Sequence, residues 1–179
     1  MHLWQSTGTT GKTMETKDFR TGWQIAVHNP AYWSRPLTWV YWIIRLATSS
    51  HWNHWAGIHV DEQGVVRVVE MRGGGKRRAR RSTRWEIWLE RSPDRVYEVL
   101  PCDPATVITR EDLDAWNGGY DYLSLVLWHP LYRLTGWWAG PTYDKPRTCS
   151  EYWALVHLLA EAYKKAPTDM AQHFKASRK

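Results

Sequence analysis

The sequence contains only two cysteines, Cys102 and Cys149, and neither belongs to a Cys-x-x-Cys pair. They can form neither a disulfide framework nor a cysteine-rich zinc site, although one disulfide between them stays open. Residues 1–17 contain no apolar core, so we expect no signal peptide. The longest apolar stretch, residues 37–47, includes Arg45 and is too short to cross a bilayer. We therefore expect no transmembrane segment and a location in the cytoplasm or in a phage particle.

Phenylalanine is also scarce, with two residues against fourteen tryptophans. So many indoles favour half-buried rings whose N–H edges stay reachable, as in a wide aromatic cleft. A codon bias of the lineage explains the same count equally well. The formal net charge of +6 favours anionic partners such as nucleic acid, cell-wall polymer or a lipid surface.

The patterning of apolar residues predicts one α+β domain over residues 19–165. A flexible tail (residues 1–18) precedes the domain, and a basic tail (residues 166–179) follows it. An antiparallel sheet of about five strands is expected, since short alternating or apolar runs recur between turn signals. The predicted strands are Trp23–His28, Trp55–Val60, Val65–Glu70, Trp85–Leu89 and Arg95–Leu100. The principal predicted helices are Leu37–Thr48 and Thr148–Lys165.

Cys149 occupies the first turn of the last long helix, which Thr148 and Glu151 open with the pattern of a capping box. A helix N-terminus favours an anion and thereby lowers the pKa of a thiol. The N–H groups there also suit a developing oxyanion. The alternative is a small buried hydrophobic side chain, which is the commoner role of a cysteine on an amphipathic helix.

A nucleophilic thiol needs a base, and the base needs an orienting group. His54 lies at the start of one predicted hairpin strand, and Glu70 closes the other. Side chains alternate along a strand, so His54 and Ile58 share a face while His59 points the other way. Adjacent antiparallel strands can then bring the Glu70 carboxylate beside the His54 ring. The alternative for His54 is a surface or satisfied core imidazole.

The order of these features resembles the circularly permuted NlpC-like hydrolases, the YiiX-like branch of the papain-fold cysteine peptidases and amidases. In that family a histidine at a strand start supplies the base, a strand ending in glutamate supplies the third polar group, and the nucleophile follows last in Cys-Ser-Glu. The segments that carry the resemblance span residues 20 to 165: Thr21–Ile25, Ser50–Ile58, Val68–Glu70, Gly119–Tyr122 and Thr148–Tyr152.

The resemblance implies a permuted papain-like fold with Cys149 as nucleophile and His54 as general base. It further implies that Glu70 fixes the imidazole tautomer and that Tyr120 lies near the oxyanion pocket. We expect no cofactor and no metal. The implied substrate is a peptide or small amide, such as peptidoglycan peptide in a bacterial or phage setting.

A dense run of positive charge lies between the third and fourth predicted strands: Lys76, Arg77, Arg78, Arg80, Arg81 and Arg84. It is either a solvated hairpin loop or an anion-binding rim for wall polymer, lipid headgroup or, less favoured, nucleic acid. Two alternatives to the amidase therefore stay open. One is a lipid-directed thioesterase or acyltransferase of the same chemistry. The other is a non-catalytic, virion-associated protein that binds an anionic polymer.

Overall fold

The structure, a computed structural model, describes residues 15–32, 34, 38–72, 80–91, 93–103, 108, 109, 111, 113, 121, 124–140, 148–159 and 161–176. Its strands are β1 (Gln24–His28), β2 (His54–Val60), β3 (Val66–Met71), β4 (Arg80–Arg84) and β5 (Val96–Leu100). Its α-helices are α1 (Trp39–Thr48), α2 (Trp85–Glu90), α3 (His129–Thr135), α4 (Cys149–Val156) and α5 (Pro167–Ala176). A π-helical turn (Ser124–Trp128) runs into α3, and 3₁₀ turns occupy Thr16–Asp18 and Ala162–Lys164.

The five strands form one antiparallel sheet in the order β4-β3-β2-β1-β5. Strands β2 and β3 are the predicted hairpin, and Asp61 organises its turn by accepting hydrogen bonds from the N–H groups of Gln63 and Val65. Gly64 in this turn has φ of +75°, a conformation that glycine adopts at little cost. The α+β class and the five-stranded antiparallel sheet are thus confirmed.

Helices cover both faces of the sheet, so the protein has two hydrophobic cores. The first core lies between the sheet and helices α4 and α5, and its members include Trp55, Val69, Leu100, Tyr152, Met170 and Phe174. The second lies beneath α2, and its members include Ile25, Val27, Ile58, Val68, Trp85 and Trp88. Helix α4 approaches β2 closely, because a Cβ atom on Gly57 would lie 2.3 Å from the Trp153 ring. This contact sets the height of α4, and therefore of Cys149, above the sheet.

Two of the predicted elements near the basic run were wrong. Residues 85–89 form helix α2 rather than a strand, because Trp85 and Trp88 are one helical turn apart and both are buried beneath the sheet. The strand in this part of the chain is instead β4, which comes from the C-terminal end of the predicted basic loop. β4 is an edge strand, where charged side chains protect unpaired backbone groups from other chains.

The C-terminal region also differs from the prediction. The helix predicted over residues 148–165 ends at Val156, and the chain then takes left-handed conformations at Leu158 and Glu161. Residues 167–176, predicted to be part of a basic tail, form helix α5. Their buried positions follow a helical period: Pro167, Met170, Ala171 and Phe174. The last three belong to the first core. Of the predicted N-terminal tail, residues 15–18 lie within the described part and contain a 3₁₀ turn.

Among the described residues, no helix is long and apolar enough to cross a membrane.

Candidate active site

Cys149 is the first residue of α4, and a complete capping box fixes the start of this helix. The N–H of Glu151 donates to the Thr148 hydroxyl oxygen at 3.2 Å, and the N–H of Thr148 donates to the Glu151 carboxylate at 3.3 Å. The Cys149 side chain is 1% exposed. Because the helix dipole points its positive end at this position, it favours the thiolate over the thiol.

His54 and Glu70 meet across the β2–β3 hairpin, as the alternation of side chains predicted. In the strand register Ala56 lies opposite Glu70, so His54 is its diagonal neighbour on the same face. The Nε2 atom of His54 lies 2.8 Å from the Glu70 Oε2 atom. Both residues are buried. This hydrogen bond fixes the ring orientation and leaves Nδ1 as the ring nitrogen available to a second partner.

That second partner is Cys149, whose side chain is hydrogen-bonded to His54. Burial lowers the pKa of His54, but the charge of Cys149 and the hydrogen bonds to Cys149 and Glu70 outweigh it and raise the pKa to about 9. Burial likewise raises the pKa of Glu70, but the bond to His54 and the charges of His54, Arg72 and Arg95 lower it to about 2. Both shifts favour a protonated imidazole and an ionised carboxylate beside the Cys149 side chain.

Three further residues surround Glu70. Arg72 approaches the carboxylate at 2.9 Å between Nε and Oε1, and the Trp88 indole N–H donates to Oε2 at 3.3 Å. The Arg95 guanidinium stacks over the Trp88 ring, 3.9 Å from its centre. The sequence analysis missed all three. Strand alternation alone indicates Arg72, which is two positions after Glu70, whereas Trp88 and Arg95 arrive through packing of α2 and the loop before β5.

An asparagine pair anchors the chain just before His54. The Asn53 side chain donates to the Asn29 carbonyl at 2.7 Å and accepts from the Asn29 N–H at 2.9 Å. The Asn29 side chain in turn accepts from Arg95 Nε at 3.0 Å. This bonding ties the start of β2 to the end of β1 and to the arginine near Glu70. It therefore fixes the chain at the start of β2, next to His54.

The remaining predicted site residues divide into two groups. Tyr120, Lys76, Arg77 and Arg78 lie outside the described residues. Arg80, Arg81 and Arg84 lie on β4, not in a loop. A groove of about 480 Å³ is lined by Arg81 and Arg84 together with two arginines that the prediction did not include, Arg67 and Arg91. Anion binding at this groove stays a prediction.

Within the described ranges, no group of three or more His, Cys, Asp or Glu side chains is placed to hold a metal ion. Comparison of the sequence with protein-family models and with curated proteins found no match.

Proposed function

We propose that this protein is a cysteine hydrolase of papain-like type that cleaves an amide or ester bond through a thioester intermediate. One observation carries the proposal: the hydrogen-bonded line from Cys149 through His54 to Glu70, with the cysteine at a helix N-terminus. Nucleophile, base and orienting group in this relation are the general arrangement of a covalent acyl-transfer site.

In the acylation step the Cys149 thiolate attacks the substrate carbonyl carbon, and the carbonyl oxygen becomes an oxyanion. The oxyanion forms at the N-terminus of α4, where the positive end of the helix dipole and the backbone N–H groups of the first turn favour negative charge. His54 then transfers its proton to the leaving amine or alcohol as the bond to carbon breaks. The products are a Cys149 thioester, a neutral imidazole and the released group.

In the deacylation step the neutral His54 accepts a proton from water, which attacks the thioester carbonyl. The carbon–sulfur bond breaks, the carboxylic acid product leaves, and the thiolate–imidazolium pair is restored. Glu70 supports both steps because it holds the ring in one orientation and stabilises the imidazolium. Since acylation needs protonated His54, we expect its rate to fall as the pH rises through about 9.

The substrate that we propose first is an amide of a cell-wall peptide or a related small amide. The support is the order of the sequence motifs together with the net charge of +6, which suits an anionic polymer. A lipid-directed thioesterase or acyltransferase uses the same three residues and is the alternative. A purely binding protein is disfavoured, because burying a thiolate, an imidazolium and a carboxylate brings a desolvation penalty that binding at the surface does not require.

The test is the rate of Cys149 alkylation by iodoacetamide as a function of pH. A Cys102→Ala background leaves Cys149 as the single thiol of the chain. We expect a high rate already near pH 6, because the thiolate is held by His54. In His54→Ala the rate at pH 6 should fall at least about tenfold and should rise only near the ordinary thiol pKa of about 8.5. His173→Ala, an exposed histidine on α5, is the matched control and should leave the profile unchanged.

A wild-type rate that rises only near pH 8.5 and is indifferent to His54→Ala would contradict the proposal. With an activated thiolate established, a panel of peptide amides, esters and thioesters identifies the scissile bond. Turnover that persists in Cys149→Ala would also contradict it.

A further inference from the structure

Helix α1 turns a hydrophobic stripe toward solvent. Trp39, Trp42, Ile43 and Leu46 are 43%, 56%, 38% and 60% exposed, and their spacing places them on one side of the helix. The opposite side buries Ile44 and Thr48. A surface helix ordinarily turns its apolar stripe to the core and its polar side to water. In α1 the larger apolar side chains lie on the outside, which marks this face for a partner.

The stripe borders an apolar groove of about 380 Å³, lined by Ala31, Tyr32, Trp39, Trp42 and Ile43. The Trp39 indole N–H donates to the Tyr32 carbonyl at 3.2 Å, which fixes the ring at the groove. The Tyr32 hydroxyl donates to Asp94 at 2.6 Å at the margin of this surface. These two hydrogen bonds orient Trp39 and Tyr32, two of the five residues that line the groove.

The segment that packs against α1 also exposes apolar side chains. Helix α1 packs against α3 and the π-helical turn before it. Leu127 in that turn, Leu134 in α3 and Trp137 just after α3 are exposed, and Leu134 is 85% exposed. Exposed apolar side chains in this part of the protein are therefore not confined to α1.

The charge of helix α1 and of the chain as a whole is positive. Helix α1 contains Arg45 and no acidic residue, and the formal net charge of the chain is +6. Two carboxylates adjoin these segments: Asp94 accepts from the Tyr32 hydroxyl at the groove margin, and Asp169 pairs with Arg133 of α3 at 2.6 Å. Because the helix and the chain as a whole are positively charged, an anionic headgroup surface is favoured over a zwitterionic one. Two copies of the protein docked through this face would instead bring like charges together.

We propose that the outward face of α1, with Trp39, Trp42, Ile43 and Leu46, docks on the surface of an anionic phospholipid bilayer. Tryptophan suits the membrane–water interface, because its ring is apolar and its N–H stays hydrated. The helix lies along the interface with its stripe inserted at the level of the headgroups and upper acyl chains, without crossing the bilayer. This proposal does not depend on the hydrolase chemistry proposed above.

The test is co-sedimentation of the full chain with vesicles of phosphatidylcholine, with and without phosphatidylglycerol. We expect binding to the phosphatidylglycerol vesicles, weaker binding to pure phosphatidylcholine, and loss of binding as salt is raised. The double variant Trp42→Ser/Leu46→Ser should bind the vesicles at least about tenfold more weakly than the wild type, because two inserted apolar side chains are removed. The matched control is Ile87→Ser/Leu158→Ser, which removes two exposed apolar side chains outside α1 and should bind like the wild type.

Absence of wild-type binding to either kind of vesicle overturns the proposal, and so does an equal loss in the two double variants. Sedimentation velocity tests whether a second copy covers the face instead. If the wild type is a dimer that binds no vesicles, and Trp42→Ser/Leu46→Ser is a monomer, the occupant is a second copy and the membrane proposal is overturned. The wild-type comparison of lipid compositions and salt needs no variant, so it remains decisive if a variant misfolds. Cys149→Ala should retain vesicle binding, which separates this result from any failure of the proposed chemistry.

Discussion

Replacing Glu70 by Gln keeps the size of the side chain and a hydrogen-bond acceptor for His54 but removes the negative charge. The surroundings lower the pKa of Glu70 from 4.5 to about 2, although its burial opposes the change. A difference of this size corresponds to about 3 kcal/mol of preferential stabilisation of the charged form. The substitution also leaves the Arg95 guanidinium buried without this carboxylate nearby. We therefore expect Glu70→Gln to lower the free energy of unfolding by about 3 kcal/mol near pH 6.

The penalty should depend on pH because His54 carries its partner charge only while protonated. The Glu70 contribution is fully present above pH 4.5 and is lost as the pH falls through about 2, since its folded-state pKa is lowered. The His54 contribution is fully present below pH 6.5 and is lost as the pH rises through about 9, since its folded-state pKa is raised. The pair therefore stabilises the fold most between pH 4.5 and 6.5.

The assay is urea unfolding of wild type, Glu70→Gln and the control Glu86→Gln at pH 6 and pH 10. Glu86 is an exposed residue of α2. The loss of unfolding free energy caused by Glu70→Gln should be smaller at pH 10 than at pH 6 by about 1.5 kcal/mol or more. This is the lower end of the range for a hydrogen bond to a charged group, which His54 no longer supplies at pH 10. Glu86→Gln should change stability by less than about 0.5 kcal/mol at either pH. A Glu70→Gln penalty of equal size at both pH values would refute the assignment of His54 as an imidazolium.

Two remaining predictions concern the placement of Cys149. Thr148→Ala removes the hydroxyl that accepts from the Glu151 N–H in the capping box. It should lower the free energy of unfolding by about 1 kcal/mol, measured by urea titration, and should slow the alkylation of Cys149. Gly57→Ala forces a Cβ against Trp153 and should cost about 3 kcal/mol or more in the same titration. At Gly64 an added Cβ meets open space, so Gly64→Ala should cost only the strain of a positive φ, about 1–2 kcal/mol. Equal losses of unfolding free energy in the two variants would contradict the close approach of α4 to β2.

The hairpin was predictable because its signals are local. Alternation in β2 and β3 and the turn at residues 61–64 predict both strands to within a residue of their observed ends. Helix α2, which follows β4, was not predictable in this way. Its segment Trp-Glu-Ile-Trp-Leu is so short that it fits the period of a strand as well as that of a helix. Burial of Trp85 and Trp88 on one face decides for the helix, and that burial depends on the sheet beneath it. Helix α5 was missed because its four buried positions stand among Gln, His and Lys residues.

The three central site residues could be predicted for a similar reason. A capping box places Cys149 at a helix start, and strand alternation places His54 and Glu70 on one face. The groups behind Glu70 could not be predicted, because Trp88 and Arg95 reach it from different elements that meet only when α2 packs on the sheet. Sequence spacing carries no information about such an approach.

The charges buried around Glu70 are not explained by the stability of the fold alone. A buried ion pair is weak support for a stabilising role, because apolar residues of similar volume often stabilise a fold as well or better. Here the buried carboxylate is surrounded by Arg72, Arg95 and the imidazolium of His54, and each must be desolvated to take part. The arrangement does, however, keep Glu70 ionised and His54 protonated next to Cys149 over the neutral range. That condition is what acyl transfer by a cysteine requires, so the arrangement supports the proposed chemistry, whereas stability alone does not explain it.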